Sequence, residues 1–569
     1  MPCLTLIFIA LGIYGQVPDL QPAWTYDTRD SLQAAHGGGR RPALEATPVY
    51  DAGRLYIATP WGTVAALEAK TGKELWRIDL KVNPEGSYGD FVSRGVALSG
   101  NRLYAGTVDG RLICLEKSSG NRCANFASNG EIDLTQGLRK SPRSVGEYEI
   151  TSAPAIFRNL VITGSAIADN GRVDMSSGEV RAFDSQSGVL RWTFHPLAEN
   201  IKAGGANTWS KIVADESSGL VFLPIGSASP DYYGGLRPGD NRHANSLVAL
   251  RGNTGEVVWS FQTVHHDLWD YDVASPPELY EFKGRKAIAI GSKTGNLFLL
   301  DRLTGKPIFG VQERPVPKSD TPGEMASPTQ PFPLKPAALV RQQIHESDLS
   351  TANEQDHKSC LETLKALRNE GIFTPPSEQG TLVVPGNIGG MHWGGVRWVP
   401  RDGMLVVPVN DFPAIVRMIP QARFREERKS HPERETTEQK GSPYAMSRQF
   451  FTAPSGKPCL APPWGSLVGI KADTGDIAWK VPLGDWLNLG GPVVSRKGIV
   501  FIGADFTPYL RAFDPVGGKQ LGQWPLPTSA RATPMTFVEA GHEYLVIAAG
   551  GHEVPMSKLD TKIVAFRID

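Results

Sequence analysis

The sequence has no excess of charge of either sign. It contains 59 Lys and Arg residues and 59 Asp and Glu residues in a chain of 569. A balanced charge provides no broad basic surface for nucleic acid or an anionic membrane. No stretch reaches the roughly 18 to 20 consecutive apolar residues that a membrane-spanning helix needs. We therefore expect neither a nucleic-acid partner nor a transmembrane domain.

Cysteine is also scarce, with five residues in the chain. No Cys-x-x-Cys-His motif occurs, so the chain carries no c-type haem of its own. Cys114 and Cys123 lie on the two arms of one predicted hairpin, whereas Cys360 and Cys459 could pair only through the fold. Two disulfides and free buried thiols are both compatible with these four residues.

The N-terminal run CLTLIFIALGIYG (3–15) has the length of a signal-peptide core. No Lys or Arg precedes it, so a misplaced start codon and a weak membrane anchor stay open as alternatives. We expect residues 1–16 to form a signal peptide or short anchor and residues 17–569 to form one domain.

One phrase recurs along the chain: an apolar strand running into a turn of the Thr-Gly or Ser-Gly type, then a second apolar or Trp-bearing strand. The turn glycines stand where positive φ is needed. Seven copies are present, at 64–76, 112–123, 180–192, 247–259, 297–309, 467–479 and 510–521, with the glycines Gly72, Gly120, Gly188, Gly255, Gly305, Gly475 and Gly518.

An eighth copy is divided between the chain ends. IVAFRID (563–569) supplies its first half and PAWTYDT (22–28) supplies its Trp-bearing second half. The two ends must therefore meet. A circular array of short four-stranded sheets satisfies this requirement because closure leaves no terminal repeat to cap. The sequence predicts an all-β, eight-bladed β-propeller whose last blade is closed by both termini.

The repeat spacing is interrupted between Gly305 and Gly475. We expect an inserted loop and helix region around 310–380, with a proline-rich loop at 315–336 and a helix at 351–371. The polar stretch RFREERKSHPERETTEQK (423–440) is predicted to be a solvated or disordered surface loop.

Residues suited to chemistry are concentrated in TVHHDLWDYDVASPP (263–277). In a strand-like stretch Asp270 and Asp272 would project to the same side, towards one cation or one substrate hydroxyl. A structural Trp-Asp pair at a blade turn is the alternative, and the dipeptide alone favours it. His265 and His266 also suggest zinc, but adjacent ligands rarely complete a tetrahedral site without others.

Several long, irregular segments resemble the quinoprotein dehydrogenases, which bind pyrroloquinoline quinone (PQQ) on the axis of an eight-bladed propeller. Within that family the resemblance is strongest to the membrane-type PQQ glucose dehydrogenases. It extends over nearly the whole propeller, and the segments follow the same order along the chain. They are QTVHHDLWDYD (262–272), SKTGNLFLLDR (292–302), SPTQPF (327–332), GIFTPPSEQGTLVVPGN (371–387), LGGP (489–492) and AGGHE (549–553).

The resemblance implies a role for each matching residue. Asp270 corresponds to the catalytic base, which takes the proton of the substrate hydroxyl as a hydride leaves the same carbon. Lys293 corresponds to the cation beside the quinone oxygens, and Trp209 to the indole that stacks on the cofactor. Without the family context Trp209 would be an ordinary blade tryptophan. Further residues expected around PQQ are Glu45, Thr47, Arg94, Thr151 and Asn387.

The resemblance also implies a bound cation that polarises the quinone carbonyl. The matching positions are Asp169, Asn170 and Ser229, with Asp270 close by. Their oxygen donors suit Ca²⁺, with Mg²⁺ as an alternative. An acid two residues after the base, here Asp272, is also the mark of lanthanide-using alcohol dehydrogenases. The glucose enzymes share it, so calcium is expected first.

Asp90 stands where the glucose enzymes have an active-site His, and with Asp272 it is a candidate for substrate contact. The charge of Asp90 stays open, because burial near Asp270 would favour the neutral acid form. The vicinal cysteine pair of methanol-oxidising relatives is absent at Val92 and Ser93, which argues against that branch.

The resulting expectation is a periplasmic dehydrogenase, with membrane association left open, that oxidises an aldose or another polyol or alcohol, as in the conversion of glucose to gluconolactone. Its electrons would pass to an external acceptor, either ubiquinone or cytochrome c. The resemblance to the glucose enzymes does not extend to their multi-helix membrane domain, which we do not expect here, so the route to that acceptor stays open. The alternative from another class is a non-catalytic propeller scaffold of the outer-membrane assembly type.

Overall fold

The computed structural model describes residues 18–168, 170–551, 553 and 557–568. The predicted leader at 1–16 lies outside the described residues. Strands dominate the described chain, as the sequence predicts, and helices are few. Across the described ranges, no helix combines the length and the apolar character needed to cross a membrane.

The repeated phrase builds a series of small antiparallel sheets. We number these sheets 1 to 8 in the order in which they follow along the chain. Sheet 8 is the one that contains both the first and the last described strand. Sheet 1 contains Val49–Asp51, Arg54–Ala58, Thr63–Glu68 and Glu74–Asp79; sheet 2 contains Val96–Ser99, Arg102–Gly106, Arg111–Glu116 and Glu131–Asp133; sheet 3 contains Ala155–Phe157, Leu160–Thr163, Val180–Asp184 and Leu190–Phe194; sheet 4 contains Val213–Asp215, Leu220–Ile225, Ser246–Arg251 and Val257–Gln262.

The second half of the chain continues the series. Sheet 5 has three strands and the others have four. Sheet 5 contains Glu278–Phe282, Arg285–Gly291 and Leu297–Asp301; sheet 6 contains Arg397–Val399, Met404–Asn410, Gly465–Lys471 and Ile477–Pro482; sheet 7 contains Val493–Val494, Val500–Ile502, Tyr509–Phe513 and Gln520–Pro525; sheet 8 contains Met535–Glu539, His542–Ala549, Lys562–Ile568 and Leu20–Asp27.

The first and last described strands lie side by side in sheet 8. Leu20–Asp27 pairs antiparallel with Lys562–Ile568, which places Leu20 opposite Ile568 and Asp27 opposite Lys562. The Asp27 carboxylate also accepts hydrogen bonds from Lys562 Nζ (2.5 Å) and Thr561 Oγ1 (2.6 Å). The two halves of the divided repeat thus share one sheet.

Apolar cores lie between successive sheets. Phe222 of sheet 4 packs in one cluster with Phe298 of sheet 5, and Ala65 of sheet 1 packs in another with Val546 of sheet 8. Each consecutive pair of sheets encloses such a cluster, including sheets 8 and 1. Hydrophobic burial therefore joins each sheet to both of its neighbours.

The Trp at the end of a repeat docks on the turn glycine of the next sheet. Trp192 Nε1 donates to the Gly252 carbonyl (3.0 Å), and a Cβ at Gly255 would lie only 2.8 Å from the indole. Gly255 also has a φ of +74°. Glycine is therefore required at this position for its backbone conformation and for the space that the indole occupies. Four other docked pairs are Trp24 with Gly72, Trp76 with Gly120, Trp259 with Gly305 and Trp479 with Gly518.

A cavity of about 1180 Å³ lies along the first strand of each of the sheets numbered 1 to 8. It is lined by one or more residues from each, among them Val49, Val96, Ala155, Val213, Leu279, Val399, Val493 and Met535. Residues that directly precede these strands, including Glu45, Arg94 and Trp393, line it too. Three of the predicted site residues, Glu45, Thr47 and Arg94, therefore line this cavity.

The region between sheets 5 and 6 contains an α-helix, Glu354–Ala366, which is shorter than the predicted span 351–371. It begins after Asn353, whose side chain accepts a hydrogen bond from the Asp356 N–H (2.9 Å). A disulfide joins Cys360 of this helix to Cys459, and a second joins Cys114 to Cys123. The disulfide alternative left open by the sequence is therefore the one found.

A further four-stranded sheet, here called the inserted sheet, lies beyond the predicted bounds 310–380. Its strands are Thr381–Val383, Ala414–Pro420, Tyr444–Phe450 and Glu435–Thr437. The prediction of a loop at 423–440 is wrong, because this stretch contains the helix Phe424–Ser430 and the strand Glu435–Thr437. That strand pairs with Tyr444–Phe450, a partner that local polarity does not reveal.

The remaining short elements are Ala43–Leu44 paired with Val92–Ser93, Tyr148–Glu149 paired with Ala166–Ile167, Val311–Pro315 paired with Thr329–Pro333, and the 3₁₀ turns Glu346–Asp348 and Gln421–Arg423.

Candidate active site

The segment around Asp270 is a tight turn and not the strand expected from the sequence. The buried carboxylate of Asp267 shapes it by accepting hydrogen bonds from the N–H groups of Trp269 (3.2 Å) and Tyr271 (3.0 Å) and from Ser227 Oγ (2.6 Å). Asp270 adopts a φ of +64°. This left-handed conformation costs a non-glycine residue about 1–2 kcal/mol, so the surrounding contacts must hold Asp270 in place.

Lys293 joins the two carboxylates that the sequence singles out. Its Nζ lies 2.5 Å from Asp270 Oδ1 and 2.8 Å from Asp272 Oδ2, and all three side chains are largely buried. Burial lowers the pKa of Lys293, but the two carboxylates raise it more, so the pKa lies well above its ordinary value. Burial raises the pKa of Asp272, but Lys293 outweighs it and the pKa is lowered. The group is thus a buried ammonium between two carboxylates.

Trp209 lies against this charged group. Its indole Nε1 donates to Asp272 Oδ2 (3.3 Å), and Lys293 Nζ lies 5.9 Å from its ring centroid. Asp272 Oδ1 accepts a hydrogen bond from the Ser227 N–H (2.6 Å). Both oxygens of Asp272 are therefore already engaged within the protein.

Arg94 joins four of the predicted residues. Its guanidinium lies 2.9 Å from Glu45 and donates to Asp90 Oδ2 (3.0 Å) and to Thr151 Oγ1 (3.0 Å). It also lies 5.4 Å from the ring centroid of Trp209. Glu45, Thr151 and Trp209 thus belong to one cluster with Arg94.

Trp393 and Arg531 belong to the same cluster but were not predicted. The Trp393 ring meets Trp209 edge-on at 6.4 Å and has the guanidinium groups of Arg94 (5.2 Å) and Arg531 (5.4 Å) over it. Arg531 also pairs with Glu45 (2.7 Å). The only sequence signal for Trp393 is its place in the glycine-rich stretch IGGMHWGG (388–395), which has no spacing that points to a site.

Arg448 was also missed, although it contacts the predicted base. Its Nη1 donates to Asp270 Oδ2 (3.2 Å) and to the Tyr232 hydroxyl (3.1 Å). Glu435 holds the other edge of the guanidinium, at 2.8 Å from Nε and 2.7 Å from Nη2. Both residues of this pair come from the inserted sheet, so the insertion forms one wall of the site.

Thr47 and Asn387 lie at the edge of this group. Thr47 lines the cavity and donates to the Thr533 carbonyl (2.9 Å). Asn387 is half-buried in a turn whose Gly390 N–H donates to the Lys293 carbonyl (2.7 Å). Within the described chain, no hydrogen bond joins the Asn387 side chain to the other predicted residues.

The predicted metal positions are only partly described. Asp169 lies outside the described residues. Asn170 Nδ2 donates a hydrogen bond to Asp231 Oδ2 (2.5 Å), and Asn170 Oδ1 accepts one from the Asp231 N–H (3.2 Å). Ser229 is fully buried, and its Oγ has no hydrogen-bond partner among the described residues. A buried hydroxyl without a partner fits an oxygen ligand of a hard cation, although no group of three His, Cys, Asp or Glu side chains forms a metal site in the described part of the chain.

The two histidines of the segment face separate partners. His266 lies between Glu324 (2.8 Å) and the Gly239 carbonyl (2.7 Å), whereas His265 contacts Gln262 (2.7 Å). The two imidazoles thus have no common partner among the described residues.

The pKa of Asp90 bears on the charge that the sequence left open. Asp90 contacts Arg94, and although burial raises its pKa, Arg94 and Arg40 lower it below the ordinary value. The sequence could not reveal this because Arg94 reaches Asp90 through a turn whose shape depends on the fold. Asp90 is ionised at neutral pH.

The assembled cluster suits a planar aromatic anion. Two indoles provide flat apolar surfaces, and the side chains of Arg94, Arg531 and Lys293 lie within 6 Å of an indole centroid while each pairs with a carboxylate of the cluster. Guanidinium groups pair well with carboxylates. The residues present therefore fit PQQ, a planar tricarboxylate.

Residues 14–545 match the family model described as PQQ: Glucose/ethanol/alcohol dehydrogenase, beta-propeller domain. The chain belongs to the quinoprotein dehydrogenases. The quinate/shikimate dehydrogenase (quinone) of Acinetobacter baylyi is 33% identical over 96% of this chain and 75% of its own length. The quinoprotein glucose dehydrogenase of Escherichia coli is 32% identical over 97% of this chain and 76% of its own length.

A solved structure from the same enzyme class shares the fold of this quinoprotein dehydrogenase chain. The quinohemoprotein alcohol dehydrogenase from Comamonas testosteroni superposes with a TM-score of 0.71 and covers 97% of this chain and 77% of its own, at 22% identity. The family resemblance and the strand-rich fold expected from the sequence are thereby confirmed.

Proposed function

We propose that the chain is a PQQ-dependent dehydrogenase that oxidises a carbinol of an aldose or another polyol or alcohol and passes the electrons to an external quinone or cytochrome. The observation that carries this proposal is the buried group of Lys293, Asp270 and Asp272 beside Trp209. A purely structural scaffold gains little from such a group, since buried ion pairs are poor sources of stability.

Each side chain has a separate role in the proposed reaction. Bound PQQ supplies the oxidant, a quinone that accepts two electrons from the carbinol carbon. Asp270 accepts the proton of the substrate hydroxyl. Lys293 places positive charge where negative charge develops. Asp272 keeps Lys293 oriented, because both of its oxygens are engaged with Lys293, Trp209 and Ser227.

Calcium is the proposed metal, held by Asp169, Asn170 and Ser229 with Asp270 close by; magnesium and a lanthanide are the alternatives. The Ser229 hydroxyl, which has no hydrogen-bond partner among the described residues, supports an oxygen-ligated cation. Asp272 is fully engaged within the protein, and this favours calcium over a lanthanide that would use Asp272 as an additional ligand. The adjacent Asp231 is a further oxygen donor.

The proposed architecture is an eight-bladed propeller closed by both ends of the chain. It is supported by the pairing of Leu20–Asp27 with Lys562–Ile568 and by the apolar clusters on both sides of sheet 8. We further propose a periplasmic location, because two disulfides suit an oxidising compartment. Membrane association is left open.

Substitution of the base tests the proposed function. Asp270→Asn keeps the shape of the side chain but cannot accept the proton, so we expect bound PQQ and a loss of dye-linked turnover on the order of 100-fold or more. Asp133→Asn, at an exposed carboxylate of sheet 2, is the matched control and should keep wild-type turnover. Near wild-type turnover of Asp270→Asn would refute the assignment.

A further inference from the structure

Arg448 lies on the opposite side of Asp270 from Lys293. It comes from the strand Tyr444–Phe450 of the inserted sheet, and its side chain is only 14% exposed. Lys293 contacts Asp270 Oδ1, whereas Arg448 contacts Asp270 Oδ2. The base therefore has a fixed cation on each oxygen.

The two edges of the Arg448 guanidinium are held differently. Glu435 accepts from Nε and Nη2 at 2.8 and 2.7 Å, which fixes the plane of the group. Nη1 makes longer contacts, 3.1 Å to Tyr232 and 3.2 Å to Asp270. Nη1 is thus the pre-oriented corner of the guanidinium, and it is the part that faces the base.

We propose that Arg448 Nη1 binds a carboxylate of the substrate, so that the preferred substrates are polyhydroxy acids. This inference rests on the proposed function, because it concerns the substrate that Asp270 deprotonates. The carboxylate would replace Asp270 Oδ2 as the acceptor of the Nη1 hydrogen bond. The released oxygen of Asp270 could then take the hydroxyl proton, while the substrate carboxylate itself undergoes no bond change.

A neutral polyol cannot make this exchange equally well. A substrate hydroxyl would have to displace a carboxylate from a guanidinium, and hydrogen bonds between charged groups are roughly twice as strong as neutral ones. A substrate carboxylate replaces one charged acceptor with another. The site should therefore discriminate by charge at a fixed distance from the reacting carbinol.

The test compares quinate with its neutral methyl ester, which keeps the same ring and hydroxyl groups. In the wild-type protein loaded with PQQ and calcium, we expect kcat/KM for quinate to exceed that for the ester by on the order of 100-fold. Arg448→Gln removes a cation from Asp270 and should therefore lower kcat/KM for both substrates, but the loss should be at least about tenfold larger for quinate than for the ester, mainly through a higher KM for quinate. Arg448→Lys should restore part of the preference because it restores the charge.

Arg423→Gln is the matched control, since Arg423 is an exposed arginine that pairs with Glu378. It should leave both values of kcat/KM unchanged. The quinone absorption of each variant shows whether the cofactor is still bound.

Three results would count against the proposal in distinguishable ways. Equal losses for both substrates in Arg448→Gln would show that Arg448 only positions Asp270. A wild-type protein that oxidises neutral polyols but not quinate, shikimate or gluconate would overturn the acidic substrate class and leave the proposed function intact. A cofactor-loaded protein that oxidises none of these compounds would overturn the proposed function itself.

Discussion

At the scale of single residues, Lys293 is the side chain on which the site depends most. Its ammonium is shared by Asp270 and Asp272, so Lys293→Met leaves two buried carboxylates without this partner. Removing one partner of a buried ion pair costs about 3–5 kcal/mol. We expect a clearly lower melting temperature and loss of turnover. Lys286→Met is the control, because Lys286 makes a single 3.4 Å contact with Ser217.

The destabilisation in Lys293→Met should depend on pH. In the wild type the pKa of Asp272 is lowered, so its stabilising contribution is present above the unfolded pKa of about 4 and is lost as the pH falls. In the variant Asp272 has lost the Lys293 cation, so burial raises the pKa of its carboxyl. The folded state is then destabilised as the pH rises and the buried carboxyl has to ionise. The difference in melting temperature should therefore be larger at pH 7 than at pH 4. A difference that is the same at both values would contradict the role given to Lys293.

The residues of the site divide by how well the sequence predicts them. Trp209, Lys293 and Asp272 converge as the family resemblance implies. Arg448 was not predicted, because it reaches Asp270 only through the inserted sheet and lies 178 positions away in sequence. Asp270 and Asp272 both contact Lys293, but the strand that periodicity predicted for them is wrong, since neither residue lies in a strand.

At the scale of elements, the docked Trp and Gly pair is the recurring unit. Gly255→Ala should destabilise the fold in two ways. An alanine in the left-handed backbone conformation costs about 1–2 kcal/mol, and overpacking of its methyl group costs about 1–3 kcal/mol. The overpacking arises because the new Cβ would lie 2.8 Å from the Trp192 ring. Melting temperatures of the purified variants measure the combined effect.

Gly219→Ala provides the control within the same sheet. Gly219 has a similar φ of +73°, but nothing lies within 4 Å of the position of its Cβ. Gly219→Ala should therefore lower the melting temperature less than Gly255→Ala does. Equal effects would mean that the indole contact adds nothing to the backbone requirement.

The inserted sheet shows where element prediction fails. The stretch 423–440 is polar throughout, which is typical of solvated loops. Its strand Glu435–Thr437 exists because it pairs with Tyr444–Phe450 and because Glu435 binds Arg448. Pairing with a distant strand is a tertiary effect that local composition does not encode.

At the scale of the whole molecule, ring closure can be tested through equivalent tryptophans. Trp24, in the N-terminal strand of sheet 8, donates to the Ala69 carbonyl beside sheet 1 (3.0 Å). Trp76, in sheet 1, makes the equivalent hydrogen bond to the Lys117 carbonyl beside sheet 2 (3.1 Å). If sheet 8 closes the ring, Trp24→Ala and Trp76→Ala should each lower the free energy of unfolding by on the order of 2–4 kcal/mol. Their melting temperatures should therefore fall by similar amounts. A much smaller effect for Trp24→Ala would show that the N-terminal strand is a loosely attached edge.

The central claim, that this propeller holds PQQ for alcohol oxidation, is tested most directly by anaerobic titration of the protein loaded with PQQ and calcium. The account predicts that a substrate of the polyol or polyhydroxy acid class converts the bound quinone spectrum to that of the reduced cofactor, with one equivalent of oxidised product for each cofactor. Asp270→Asn should bind the cofactor and show no such change on the same timescale. Failure of the wild-type protein to bind PQQ, or a bound spectrum that no alcohol, polyol or polyhydroxy acid alters, would contradict the account.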